Sequence, residues 1–144
     1  MTNDIDYALK DIIEDINQKN LTYLTSSKIK ELKNTILQKL QLSKDVLISY
    51  HKKLDDYRYI DELDELKIGS YIRWINLNKI DNLYLTNGGI IIDFKFNNNN
   101  VIIVCKNNIN KLFSLKFNSV ILFQKLRSDE KILIKIIDYI NKNN

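Results

Sequence analysis

The feature that most constrains this chain is a change of period at Gly69. Before it the apolar residues recur every three or four positions, and after it every second position, so helices are expected first and strands afterwards. At 144 residues the chain has the usual size of one domain and can bury a core without cross-links. The expected fold is α+β. Three helices and an acidic strap fill 1–66, and a small β-barrel with a closing C-terminal helix fills 67–144, the two together forming one compact unit.

In the first helix Ile5, Leu9, Ile12, Ile13 and Ile16 make one apolar stripe between about Asn3 and Gln18. Ser26 and Ser27 cap a second, striped by Ile29, Leu32, Ile36, Leu37 and Leu40. Ser43 caps a third that carries Val46, Leu47, Tyr50, Leu54 and Tyr57. The run from Tyr57 to Leu66, with Asp61, Glu62, Asp64 and Glu65, reads either as one helical turn or as an extended acidic strap. It lacks the glycine and ligand spacing of a calcium loop. At the far end Ser128 caps the final helix, and Asp129 and Glu130 sit in its first turn where the helix dipole favours anions. Ile132, Leu133, Ile136, Ile137 and Ile140 form its apolar stripe.

Five strands are expected between Gly69 and Leu126. They are Tyr71 to Asn76, Ile90 to Phe96, Val101 to Lys106, Lys111 to Phe117 and Val120 to Leu126. Asn87, Gly88 and Gly89 supply a turn able to take positive φ, and Asn97 to Asn100 supply another. A longer irregular loop after the first strand and a tight link before the last match the rhythm of SH3-like and Tudor-like antiparallel barrels. A flat meander packed on helices is the alternative.

Alternation assigns the faces. Ile72 and Trp74 point inward, as do Ile92, Phe94 and Phe96, so Tyr71, Arg73, Asp93 and Lys95 point outward. One side would then carry Tyr71, Arg73, Lys95, Lys106, Lys111, Lys116, Lys125 and Arg127. Cations for phosphates beside a flat ring for stacking on a base are what a nucleic acid requires. The charge distribution agrees: ten Lys and Arg stand against thirteen Asp and Glu up to Leu66, net −3, and twelve against five from Lys67 onward, net +7.

Much chemistry is excluded by what the sequence lacks. The three glycines, Gly69, Gly88 and Gly89, cannot write a phosphate-cradling loop. His51 is the sole histidine and Cys105 the sole cysteine, which leaves no disulfide, no thiolate zinc cluster and no second imidazole for proton transfer. Cys105 reads as a small buried hydrophobe in a strand, Trp74 as core and His51 as a surface residue. No enzyme activity, cofactor or metal is expected. No apolar run approaches the roughly 20 residues of a membrane span, and the acidic start at Asp4 and Asp6 has the wrong charge for a secretory leader. An intracellular protein with no membrane partner is therefore expected.

The strings Gly69, Tyr71, Ile72, Arg73, Trp74, then Leu85 to Gly89, then Phe123, Gln124, Lys125 resemble uncharacterised small-barrel proteins of large DNA viruses and phages. The resemblance covers Gly69 to Leu126. It implies a viral origin, with host cytoplasm or virion as the location, and no catalytic residue to carry across. Two functions are thus expected of a non-enzymatic binding module. One is a nucleic-acid-binding accessory protein; the other is a structural or adaptor domain in which acidic helices and basic barrel meet partners or copies of the chain.

Overall fold

The computed structural model describes residues 25–143 and, ahead of them, Tyr7, Lys10, Asp11 and Glu14, all four helical. The remainder of the helix expected from Asn3 to Gln18 lies outside the described residues. Two compact units are formed, one of Glu31–Arg127 and one of Met1–Lys30 with Ser128–Asn144. No helix among the described residues is long and apolar enough to cross a membrane.

Three helices are described in full: α1 (Ser26–Gln38), α2 (Lys44–Lys53) and α3 (Ser128–Lys142). The cap of α1 is Thr25 in place of the expected serines, its hydroxyl accepting from Lys28 N at 3.1 Å. Ser43 caps α2 as expected, accepting from Val46 N. In the unit that contains α3, Ile134 and Ile137 are buried, and Asp138 accepts a hydrogen bond from Ser26 N at 3.2 Å.

Six strands form one antiparallel sheet: β1 (Tyr57–Ile60), β2 (Tyr71–Asn76), β3 (Gly89–Asn97), β4 (Asn100–Lys106), β5 (Leu112–Lys116) and β6 (Val120–Lys125). Their order is β1-β6-β2-β3-β4-β5, and the sheet does not close on itself. The expected count of five thus becomes six, and a closed barrel becomes an open sheet with β1 and β5 as its edges. The added strand takes Tyr57 from the expected third helix, which ends at Lys53 with Leu54 as its cap. Tyr-Arg-Tyr-Ile suits a strand buried on both sides because aromatic and β-branched residues pack well on a pleated surface. Of the acidic run only Leu63–Glu65 coils, as a single 3₁₀ turn. Asn98 and Asn99, at φ 48° and 66°, form the two-residue hairpin between β3 and β4, the conformation that a right-twisted hairpin prefers.

Register separates two faces. On the inner face Ile60, Ile72, Trp74, Ile91, Ile103, Cys105, Leu115 and Leu122 build one core with Leu66. On the outer face Tyr57, Ile75, Ile121 and Phe123 pack under Leu37 of α1, Tyr50 of α2 and the α2 cap Leu54, making a second core. Each fully buried side chain of this kind contributes roughly 1.5–3 kcal/mol. The helices therefore cover the outer face of β1, β6 and β2 and leave that of β3, β4 and β5 without helical cover among these contacts.

The expected inward row of Ile92, Phe94 and Phe96 is corrected by a β-bulge. Pairing jumps from Ile91↔Cys105 to Asp93↔Val104, so Ile92 is the extra residue and the phase flips across it. Ile91, not Ile92, enters the core; Phe94 packs against it in part, and Phe96 is 79% exposed at the end of the strand.

Two polar side chains are built into the inner face. Gln124, 1% exposed, donates to Glu65 O at 3.1 Å and accepts from Lys67 N at 3.0 Å. Arg58 pairs with Glu65 at 3.4 Å. Burial holds the Glu65 carboxyl above its ordinary value against the opposing pull of Arg58. Together these contacts tie residues 65–67 to the sheet and fix where Lys67 emerges.

Candidate functional site

Register puts most of the sequence-selected cations on the outer face. Lys95 and Lys116 flank Ile102 in one row across β3, β4 and β5, roughly 10 Å apart. A second row runs Tyr71, Ile90, Lys106, Leu112. Lys95, Lys106 and Lys116 are exposed. The outer phase of β3 also holds Asp93, whose carboxylate accepts from Phe94 N at 2.8 Å. Arg73 lies on this face too, but it is turned to structural work: its Nε donates to Thr86 O at 2.7 Å.

Tyr71 and Lys125, both on the outer phase, come together with Arg127. With Lys67, Gly69 and Ser70 they line a hollow of about 370 Å³ in which no described lining residue carries a carboxylate. Three cations around one concavity create a positive potential suited to an anion.

The loop between β2 and β3 makes the wall of a larger cleft. It returns alongside β2, with Thr86 N donating to Trp74 O at 3.0 Å and Ile75 bridging Leu85. Three side chains hold it. Tyr50 donates to Leu83 O at 2.8 Å and accepts from Leu85 N at 3.1 Å, Arg73 takes Thr86 O, and the Tyr71 hydroxyl donates to Asn87 O at 2.8 Å. Gly88, at φ +86°, lets this loop pass where any side chain would strike Ile72 O.

The opposite wall is the turn after β4. Asn107 ties it internally: its Oδ1 accepts from Ile109 N at 3.1 Å and from Lys111 N at 2.9 Å. Positive φ at Asn110, 64°, completes the reversal into β5.

Between these walls lies a cleft of about 450 Å³, within the usual range for a small-ligand site. Four rings line it. Trp74, 5% exposed, forms the floor in a T-shaped contact with Phe113 at 6.0 Å, while Tyr84 is 54% exposed and Tyr71 is half-buried. Asn87, Asn107 and Asn108 supply amides, and the Asn87 and Asn108 side chains make no hydrogen bond to another described residue. Among the described residues no charged side chain lines the cleft, but Lys111 Nζ stands 5.3 Å from the Phe113 ring centre.

No family model, curated protein or solved structure matches the chain. Tyr71 lines both the cleft and the basic hollow, so the two concavities adjoin there.

The reactive residues lie apart. Cys105 is fully buried in the inner core, and burial pushes its thiol up to about 11. His51 contacts Asn34 Oδ1 at 3.2 Å on the helical side, and burial, with Lys33 nearby, lowers its affinity for a proton. Among the described residues no three His, Cys, Asp or Glu side chains gather where they could hold a metal ion. Of the residues around the cleft, sequence reasoning selected only Tyr71, and placed Trp74 in the core. It missed Tyr84, Asn87, Asn107, Asn108 and Phe113. The alternation Leu83, Tyr84, Leu85, Thr86 was the available signal, since it marks a short extended segment inside the loop with Tyr84 on its open side.

Proposed function

We propose that this chain is a nucleic-acid-binding module without enzymatic activity. The observation that carries the reading is the pairing of two unlike concavities at Tyr71. One is aromatic and amide-lined and the other is ringed by Lys67, Lys125 and Arg127, which together match the flat base and anionic phosphate of a polynucleotide. The exposed Lys95, Lys106 and Lys116 extend the positive surface along which a backbone would track.

The last five strands further support an SH3-like reading of the sheet. A meander in which the last strand, β6, pairs with the first, β2, across a 3₁₀ link at Phe117–Ser119 has the connectivity of such a half-open barrel, with β1 added at its edge. Membership among the viral small-barrel proteins that the Gly69 to Leu126 segment resembles remains part of the same proposal.

The test is salt. Fluorescence anisotropy with labelled DNA and RNA at two ionic strengths is expected to give binding whose logarithm falls linearly with the logarithm of salt concentration. Absence of binding at low salt refutes the proposal. An adaptor role is the second reading, supported by Ile90, Ile92 and Leu112, which are 45%, 41% and 60% exposed around Lys106. It predicts self-association or a co-purifying protein, which light scattering would reveal.

A further inference from the structure

We infer that the cleft receives one unpaired nucleobase, so that the protein selects single strands over duplex; this rests on the nucleic-acid reading above. Ring stacking works on a base whose face is open, and in a duplex both faces are already covered by neighbours. The outer lysine rows alone would accept either form, because a phosphate carries no record of pairing. The cleft is what makes the difference.

Its shape and chemistry suit a base. At about 450 Å³ it is large enough for a nucleoside. Tyr84, 54% exposed, stands on one wall, and Phe113 and Trp74 close the floor edge to face. A base entering between Tyr84 and that floor meets the Asn87 and Asn108 amides at its rim, each able to donate and accept along a base edge. Tyr71 then leads to the basic hollow, where Lys67 and Lys125 meet the adjoining phosphate. An organic cation is the competing occupant of any aromatic recess. The surroundings argue against it, since none of the described residues lining the cleft is a carboxylate and Lys111 already stands over Phe113.

The wall is set in advance of any ligand. Tyr50, Tyr71 and Arg73 each anchor a backbone group between Leu83 and Asn87. Little ordering remains to oppose binding, so a single base can contribute its full stacking energy.

Trp74 is the only tryptophan, so its fluorescence reports directly on the cleft. The experiment titrates the full chain with a single strand of about 12 nucleotides and its duplex at low salt, following anisotropy and Trp74 emission together. The single strand is expected to bind at least about tenfold tighter and to quench Trp74. Tyr84→Ala, at an exposed position where folding is not at stake, should weaken single-strand binding roughly 5- to 150-fold and leave duplex binding unchanged. The double variant Lys67→Gln with Lys125→Gln should weaken both. Equal affinity for strand and duplex, with Tyr84→Ala silent, overturns this inference while the nucleic-acid reading stands. No binding of either form at low salt overturns that reading itself. Quenching of Trp74 by tetramethylammonium but not by oligonucleotide also overturns the inference and assigns the cleft to a cation.

Discussion

Replacing Gly88 by alanine tests how the cleft wall is built. A Cβ at this position would lie 2.0 Å from Ile72 O and 3.0 Å from Arg73 Cγ, whereas ordinary contacts begin at 3.4 Å. The loop must therefore retreat by more than an ångström or push β2 aside, where Ile72 pairs with both Gly89 and Gln124. Positive φ alone costs an alanine about 1–2 kcal/mol. Overpacking against a fixed carbonyl adds about 1–3 kcal/mol, giving roughly 2–5 kcal/mol in all. Gly69 supplies the control: its φ is +90°, yet nothing lies within 4 Å of its Cβ position, so Gly69→Ala should cost only the backbone strain of about 1–2 kcal/mol. Urea denaturation followed by Trp74 emission measures both. With a slope of about 1–3 kcal/mol per molar, the midpoint of Gly88→Ala should fall below that of Gly69→Ala by roughly 1 M. Equal midpoints would refute the claim that the loop is pinned by close approach to β2.

Three further outcomes follow from particular contacts. Tyr50→Phe leaves Leu83 O and Leu85 N without their hydroxyl partner, which should cost about 1–3 kcal/mol and speed amide exchange at 83–87; unchanged exchange would mean that α2 does not hold the loop. Cys105 should resist a disulfide reagent in the native protein and react at once in urea, and rapid native reaction would contradict its burial. Because its folded value, about 11, lies above its ordinary 9.0, the folded state retains a proton that the unfolded chain releases between those values. Stability should therefore be complete below pH 9 and fall by about 2 kcal/mol as pH rises toward 11, with a shallower fall for Cys105→Ala between pH 9 and 10, before Tyr57 and Tyr59 add losses of the same sign.

The strands from Tyr71 to Lys125 were legible because alternation, asparagine turns and the Gly88 turn all point the same way. β1 was not, because Tyr57 falls at helical spacing after Leu54 and only the long-range pairing of Tyr57 with Lys125 decides its state. Nor was the bulge at Ile92, since one extra residue leaves no mark in a run of three isoleucines and yet reverses the faces of what precedes and follows it. The outward phase of Lys95, Lys106 and Lys116 was readable from the alternation of β3, β4 and β5. The cleft was not, because it depends on a loop that returns to β2 and on a turn reached only through β4. What period two does reveal is which side of a strand is wet, and that is less than where two loops meet.

Where a bound strand places its bases decides whether the cleft is a base site, and photocrosslinking locates them directly. A single strand carrying 4-thiouracil or 5-iodouracil, irradiated on the protein and mapped by peptide mass spectrometry, should attach at Tyr84, Trp74 or Phe113. Attachment confined to the outer rows around Lys95 and Lys116, or no attachment despite saturated binding, would contradict the claim that this cleft holds a base.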